Sequence, residues 1–354
     1  MSGVRPWLPE VLRNRDFDLY WGGVVLSQVG TRGAVAATLY QVYELTGSTA
    51  QVGLVGIAQA VALIALSPLG GVVADRMDRR RLLQYSQASA LVVSAALAAV
   101  TLTGVVTTWM VVLSALLATA AATFDQPARQ ALIPALVPRE RLVDAIALIN
   151  PSRELAVLVG PALAGVLIAV SGPGAVYLLD AATYALLVVA LTMIRVSTGV
   201  PDGPHEPVLR TPPLALPLEQ RTVFQSIVEG ARYIGRRPLI YTLMGLDLAA
   251  TVFGAYRVLL PAFALDVLHA GATGYGLLSA APSAGALIGS VLVFRLVRSR
   301  RSGVLALSST AAYGLVVVGF AQATNLGAAL VLAGLLGVAE IGRASCRERV
   351  CHNV

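Results

Sequence analysis

The stretch of sequence that decides the fold is a charged turn between two apolar runs. It reads Gly70-Gly71-Val72-Val73-Ala74-Asp75-Arg76-Met77-Asp78-Arg79-Arg80-Arg81. The residues before it, from 52 to 73, and those that follow from 82 are largely apolar. Because clustered cations stay on the cytoplasmic side of a membrane, this turn predicts a short cytoplasmic loop between two membrane-spanning helices.

The composition of the chain predicts an all-α polytopic membrane protein. Hydrophobic residues make up 56% of its 354 residues and charged residues 13%, whereas a soluble domain carries about 25% charged residues. Apolar runs of about 20 residues recur, which is the length that a helix needs to cross a bilayer. The net charge of +7 comes from arginines spread over several loops without an aromatic or basic platform, so we expect no nucleic-acid partner.

Hydropathy predicts ten membrane spans and a protein of the cytoplasmic membrane. The spans cover residues 18–43, 51–73, 82–103, 107–124, 142–170, 174–195, 238–263, 273–296, 303–322 and 325–341. Arginines lie in alternate loops, and the intervening loops near 46–50, 104–106, 171–173, 264–272 and 323–325 contain none. This alternation, with no cleavable signal sequence before the first span, predicts an N-terminus in the cytoplasm.

Composition shifts divide the chain into four parts. Residues 1–196 form a six-helix bundle, 197–223 a proline-rich cytoplasmic linker, and 224–341 an incomplete second bundle of four helices. The apolar pattern at 224–234 fits either an interfacial helix or an extension of the seventh span. The polar tail 342–354 interrupts the tenth span and contains both cysteines, so we interpret it as non-native.

The charged turn resembles a signature of the major facilitator superfamily, G-x-x-x-D-R-x-x-R-R. The matching residues are Gly71, Asp75, Arg76, Arg79 and Arg80. The resemblance implies two six-helix repeats around a central cavity, in which this turn is part of a cytoplasmic gate. Since the chain has ten predicted spans, we expect it to be truncated after the tenth helix and to lack the helix 11 against which Asp75 would brace the gate.

Two further segments are similar to exporters of this superfamily. Residues 124–142 resemble the helix 4–5 loop of the enterobactin-exporter-like branch, which also contains macrolide efflux pumps. In that loop we expect Asp125 and Arg129 to form a surface pair worth about 0–1 kcal/mol. The fifth span is similar to the antiporter motif G-P-x-x-G-G, with Ala164 in place of one glycine. The residues of this motif that we expect to bend the helix and bring a neighbour close are Gly160, Pro161 and Gly165.

Ionisable residues inside the predicted spans are candidates for a substrate or proton pathway. A charge near mid-membrane costs at least about 2.5 kcal/mol, so such residues usually face a cavity. The candidates are Arg32, Asp247, Arg257, Arg153 and Glu154. Arg32 and Asp247 lead, because the resemblance implies that spans 1, 4, 7 and 10 line the cavity.

Structural roles for several intramembrane charges stay open beside the functional ones. Arg153 and Glu154 could form a structural pair near the membrane surface, and Arg257 could extend its guanidinium to the outer surface. Asp180 could be a solvated residue near the start of the sixth span. Three aromatic residues are candidates for contact with a catechol or a macrolide: Tyr40, Trp109 and Tyr256.

The resemblance implies a secondary active transporter that exports a small molecule, such as a siderophore or a macrolide, by proton antiport with alternating access. It implies a monomer in the lipid bilayer, without cofactor or metal, and not an enzyme. The sequence departs from the family's pattern at two places, so no motif supports proton coupling. Gly30 is followed by Thr31 and Arg32 instead of an acidic residue, and residues 111–123 contain no arginine. The alternatives are an inactive truncated transporter, or a membrane scaffold or enzyme.

Overall fold

A computed structural model describes residues 14–194, 232, 235, 241, 245, 256–296 and 302–352, with the backbone alone at 68–72, 74–76, 139, 291–296, 302–307 and 342–352. Within these residues the regular structure is helical and no strand occurs. The helices are α1 (Arg15–Thr46), α2 (Thr49–Arg76), α3 (Arg79–Leu102), α4 (Thr108–Leu136), α5 (Leu142–Ser171), α6 (Pro173–Met193), α7 (Leu260–Ala262), α8 (Gly271–Leu296), α9 (Ser302–Ala321) and α10 (Leu326–His352).

Short turns complete the described structure. A 3₁₀ turn, Arg139–Arg141, precedes α5, and a second one, Tyr256–Val258, precedes α7. A π-helical turn, Phe263–Val267, follows α7. The fold class predicted from composition is therefore confirmed as helical throughout the described ranges.

Local chemistry sets the ends of α1 and α3. The Asn14 side chain accepts a hydrogen bond from the Asp16 backbone at 3.1 Å and so caps α1. Gly47 ends that helix at a positive φ of 60°, which glycine adopts without a steric penalty. Asp78 caps α3 by accepting from the Arg81 backbone at 2.9 Å.

The structure corrects two predicted boundaries. Helix α4 continues through Pro127 and Pro134 to Leu136, where we expected a loop from residue 124. Membrane helices tolerate such prolines because neighbouring groups satisfy the backbone carbonyls that they leave unbonded. The charged turn is also shorter than predicted, because α2 ends at Arg76 and α3 begins at Arg79.

The first six helices form one bundle, which packs on the second half through α5. In the bundle, α1 lies between α5 and α6, and α3 packs on both α4 and α6. Helix α8 contacts α5 from the other half and packs in turn on α10, which also contacts α9. We call the end at which α1, α3 and α5 begin the arginine-rich end, and the other the opposite end.

The bundle presents an apolar outer surface, as a protein surrounded by lipid does. Exposed apolar side chains on different helices include Ile64, Val92, Leu113 and Val170. Five helices in the described ranges are long and apolar enough to cross a membrane: Thr49–Ser67 of α2, α3, α4, α5 and α6. Contact of these apolar faces with lipid is favourable, whereas their exposure to water is unfavourable.

Candidate transport cavity

A cavity of about 520 Å³ lies inside the arginine-rich half of the first bundle. Its walls come from the first half of α1, the start of α3, the second half of α4 and the start of α5, with one residue from α6. The side chains on these walls that carry charge, amide or hydroxyl groups are Tyr20, Gln28, Thr31, Arg32, Ser86, Gln87, Asp125, Gln126, Arg129, Gln130, Asn150, Arg153 and Tyr184. A cavity of this size with convergent polar groups is typical of a small-molecule site.

Two of the five residues that we predicted for the pathway line the cavity. Arg32 and Arg153 line the cavity from α1 and α5, and both are exposed to it. The charges of Arg153, Arg257 and Glu154 all act on the Arg32 guanidinium. Arg257 is exposed in the turn before α7 and is not among the residues on the cavity wall. The fifth residue, Asp247, lies outside the described residues.

The Asp125–Arg129 pair is part of the cavity wall, which corrects its predicted place in a surface loop. Arg129 Nε donates to Asp125 Oδ2 at 2.5 Å, and both side chains are nearly buried. Gln87 of α3 donates to the other carboxylate oxygen of Asp125 at 2.6 Å. The pair itself was predicted, and its place on one face of a helix would have followed from the spacing of residues 125 and 129 had α4 been extended through Pro127.

Asp180 is buried, which rules out the solvated helix start considered for it. The residue lies seven positions into α6 and is 4% exposed. Ser94 of α3 donates a hydrogen bond to Asp180 Oδ2 at 2.8 Å, and Asp180 Oδ1 is buried without a hydrogen-bond partner. Nothing in the sequence indicates a contact between Ser94 and Asp180, because the two residues lie on different helices and are 86 positions apart.

The opposite end of the protein is closed by contacts between the two halves. The Tyr43 hydroxyl of α1 donates to the Asp266 carboxylate. The Tyr275 hydroxyl of α8 donates to the Ala36 carbonyl oxygen at 2.8 Å, and its ring lies 5.5 Å from that of Tyr40. Within the described part of the molecule, these contacts block access to the cavity from the opposite end.

Helix α5 makes close backbone contacts with both of its neighbours. A Cβ added at Gly160 would come within 2.7 Å of the Val29 carbonyl oxygen in α1. One added at Gly165 would come within 2.7 Å of Gly276 Cα in α8, and one at Gly276 within 2.7 Å of the Pro161 carbonyl oxygen. The glycines thus allow α5 to pack on the first bundle and on the second half at once.

The arginines of the charged turn bind carbonyl groups within the first bundle. Arg80 donates from Nε to the Leu191 carbonyl oxygen at 2.7 Å and from Nη2 to that of Thr192 at 3.0 Å, near the end of α6. Arg79 donates to the Ala131 carbonyl oxygen of α4 at 3.0 Å. Only the backbone is described at Gly71, Asp75 and Arg76, so the gate role predicted for these residues stays a prediction.

The aromatic residues on the cavity wall differ from those that we expected. Trp109 is 72% exposed at the start of α4. Tyr40 and Tyr256 are buried in the apolar core toward the opposite end. The cavity is instead lined by Tyr20, Trp21 and Tyr184. Trp21 is oriented by a hydrogen bond of 3.1 Å from its indole nitrogen to the Ser152 hydroxyl.

Comparison with known proteins agrees with this architecture. The profile of a family described as "Transmembrane secretion effector" matches residues 5–348. The enterobactin exporter of Citrobacter koseri is 32% identical over 282 residues, which are 76% of this chain and 61% of that protein. The enterobactin exporter of Salmonella choleraesuis is 30% identical over 298 residues, covering 84% of this chain and 68% of the relative.

The fold also matches a solved transporter structure. A bacterial homologue of the iron transporter ferroportin, in an inward-facing state, superposes with a TM-score of 0.68 at 16% identity, covering 96% of this chain and 84% of that one. The match to the Citrobacter relative spans less than two thirds of that protein's length. The family profile nevertheless covers nearly the whole chain. This chain belongs to the transmembrane secretion effector family of major facilitator transporters.

Proposed function

We propose that this chain exports a small molecule from the cytoplasm by alternating access. The observation that carries the proposal is the asymmetry of the molecule: a polar cavity in the arginine-rich half and a seal between the two halves at the opposite end. Such a cavity is the binding site of a transporter caught open to one side. The similarity to enterobactin exporters supports the outward direction of transport.

The arginine-rich end is the cytoplasmic end in this proposal. Arg79, Arg80 and Arg81 lie there at the start of α3, and Arg141 lies there at the start of α5. Short loops that are rich in arginine remain in the cytoplasm. The N-terminus is then cytoplasmic, and the cavity faces the cytoplasm.

The charge of the cavity favours an acidic or catechol-bearing cargo over a cationic macrolide. Three arginines line it, whereas the one acidic residue among its lining residues, Asp125, is paired with Arg129. Arg32 and Arg153 are left to attract phenolate or carboxylate oxygens, which guanidinium groups bind with two parallel hydrogen bonds. We therefore propose a siderophore-type molecule as the cargo, with enterobactin as the first compound to test.

Proton influx supplies the driving force in the proposed cycle. This sequence contains no G-x-x-x-x-G-K-[ST] phosphate-binding loop, which argues against a pump driven by nucleotide hydrolysis. In this cycle the protein acts as a monomer and exchanges cargo against protons as its halves rock about the midplane.

The test is accumulation of enterobactin in everted membrane vesicles that contain the full chain. An inside-acid pH gradient should drive uptake well above that of vesicles without the protein, and collapsing the gradient with an ionophore should abolish it. Uptake equal to that of control vesicles would contradict the proposal and favour the alternative of an inactive truncated transporter. Uptake that an ionophore leaves unchanged would contradict proton coupling alone.

A further inference from the structure

The proposed transport cycle leaves one buried acidic group without a role. Among the side chains that the structure describes, Asp180 is the one carboxyl group in the buried class. It lies at the contact of α1, α3 and α6, where the backbone of Gly30 approaches it: a Cβ added at Gly30 would come within 2.9 Å of Asp180 Oδ1. The absence of a side chain at residue 30 makes the space that the carboxyl group occupies.

Two residues near Asp180 place hydroxyl groups on the cavity wall. Thr31 follows Gly30, the residue whose backbone approaches Asp180 Oδ1. The Thr31 hydroxyl donates to the Ser27 carbonyl oxygen at 2.8 Å. It is 2.8 Å from the Tyr184 hydroxyl, and both residues line the cavity. Hydroxyl groups both donate and accept hydrogen bonds, so this pair can pass a proton between Asp180 and water in the cavity once the Thr31 hydroxyl turns from the Ser27 carbonyl oxygen to the carboxyl group.

A second set of polar groups runs from Asp180 toward the opposite end. Ser94, which donates to Asp180, also lies 3.0 Å from the Tyr177 carbonyl oxygen. The Tyr177 hydroxyl donates to Gln41 at 2.9 Å, and Gln41 donates to Thr101 at 3.3 Å, at the end of α3. We call the whole set the polar column: Thr101, Gln41, Tyr177, Ser94, Asp180, Thr31 and Tyr184.

No cation compensates the Asp180 carboxyl group in the described part of the molecule. The groups that face it are Gly30 and Thr31 from α1, Ser94 from α3, and Tyr177, Thr183 and Tyr184 of its own helix. The charges of Asp180 and of the Asp125–Arg129 pair of α4 all act on Tyr184. A buried carboxylate without a counter-ion is costly, so this site suits a carboxylic acid that carries a proton while the helices are closed.

We propose that Asp180 is the carboxyl group that binds and releases the driving proton, and that Thr31 and Tyr184 connect it to the cavity. The inference rests on the proposed proton-coupled export. In the outward-facing state a proton from water bonds to the carboxylate. In the inward-facing state that O–H bond breaks, and the proton passes along the two hydroxyl groups to water in the cavity. No other bond changes, and the pH gradient drives the exchange.

Infrared spectroscopy of the purified full chain in lipid tests proton binding without any cargo. As the pH is lowered, the wild type should develop the carbonyl stretch of a protonated carboxyl group that Asp180→Asn lacks. The matched control is Asp144→Asn, which alters an exposed acid in the first turn of α5 and should keep the band. An unchanged band in Asp180→Asn would overturn the proposal.

A second variant covers the case in which Asp180→Asn does not fold. Ser94→Ala keeps the carboxyl group but removes the hydroxyl that donates to it, so the same band should move in frequency. A band at the wild-type frequency in Ser94→Ala would show that the signal comes from another group and would overturn the proposal.

Transport assays of Asp180→Asn distinguish a proton-binding role of this residue from a purely structural one. Asn can accept the Ser94 hydrogen bond, so Asp180→Asn should still exchange labelled for unlabelled enterobactin across vesicles without a pH gradient. It should lose gradient-driven accumulation by at least about tenfold, because no proton is transferred. Gradient-driven accumulation at the wild-type level would overturn the proposal. If the wild type itself does not move enterobactin, the proposed export fails while the infrared result still decides the proton site.

Discussion

Arg32 is the residue on which the proposed cargo specificity depends most. Its guanidinium group lies on the cavity wall in a cluster with that of Arg153, and the charge of Arg257 also acts on it. A cation inside a membrane protein that is surrounded mainly by other cations attracts an anion from solution. The cluster therefore favours a cargo with acidic oxygens that can accept from Arg32.

Replacing Arg32 by Gln should weaken enterobactin binding by about tenfold or more, because a hydrogen bond to a charged group is worth about 1.5–3 kcal/mol. Fluorescence of Trp21, which lines the cavity, reports the binding. Arg81→Gln is the matched control, since Arg81 is exposed in the first turn of α3 and lies away from the cavity. Equal affinities in the two variants would remove Arg32 from the site.

Gly30→Ala should destabilise the protein by about 1–3 kcal/mol, the usual effect of overfilling a packed site. The added methyl group would meet Asp180 Oδ1 at 2.9 Å and also the Thr183 hydroxyl. Thermal unfolding in detergent measures the change. Gly22→Ala in the same helix is the control, because nothing lies within 4 Å of an added Cβ there. Similar unfolding temperatures for both variants would show that α1 and α6 separate easily at Asp180.

At the scale of helices, the charged turn has a structural role within its own bundle. Arg79 and Arg80 bind backbone carbonyl groups of α4 and α6, so they tie the start of α3 to the ends of its two neighbours. Carbonyl groups at the end of a helix lack partners within the helix, and cations there are favourable. The resemblance to a gate signature alone did not indicate these contacts.

Arg80→Ala should lower the free energy of unfolding by about 1–3 kcal/mol, because two carbonyl groups at the end of α6 lose a charged donor. Arg81→Ala removes an adjacent, exposed arginine and should change stability by less than about 0.5 kcal/mol. Unfolding of the two purified variants in urea and detergent gives the comparison. A larger effect at Arg81 would contradict the assigned role of Arg80.

The sequence predicts the membrane spans well and the contacts between the helices poorly. Hydropathy finds α2, α3, α5 and α6 because a bilayer imposes one length on apolar helices. It ends α4 too early, because Pro127 and Pro134 are typical of loops in soluble proteins and are tolerated in membrane helices. The burial of Asp180 was not predictable, since it depends on Gly30 and Ser94 from distant helices. Arg32 and Arg153 were found because a charge inside a span is rare.

At the scale of the whole molecule, the two halves meet where the cavity ends. Gly165 and Gly276 hold α5 against α8. The hydrogen bonds from Tyr43 and Tyr275 close the same end, between α1 and the second half. Opening this end must separate α5 from α8, so the glycine contact is expected to control the balance between the two states.

Gly165→Leu should open the end that Tyr43 and Tyr275 close, because a side chain there cannot coexist with Gly276 at its present distance. Spin labels on Leu45→Cys and His269→Cys, with Cys346→Ser and Cys351→Ser, should move apart in electron-electron resonance measurements. The same pair with Gly53→Ala is the control, because an added Cβ at residue 53 meets nothing within 4 Å. An unchanged distance in Gly165→Leu would mean that the seal does not depend on this contact.

Access to the cavity tests the central claim most directly. Asn150→Cys places a thiol on the cavity wall, in a background with Cys346→Ser and Cys351→Ser. A membrane-impermeant maleimide should label it in everted vesicles, where the cytoplasmic face is outside, and enterobactin should slow that labelling. Labelling from the outer face of intact cells without cargo, or a rate in everted vesicles that enterobactin does not change, would contradict a cytoplasm-facing export cavity.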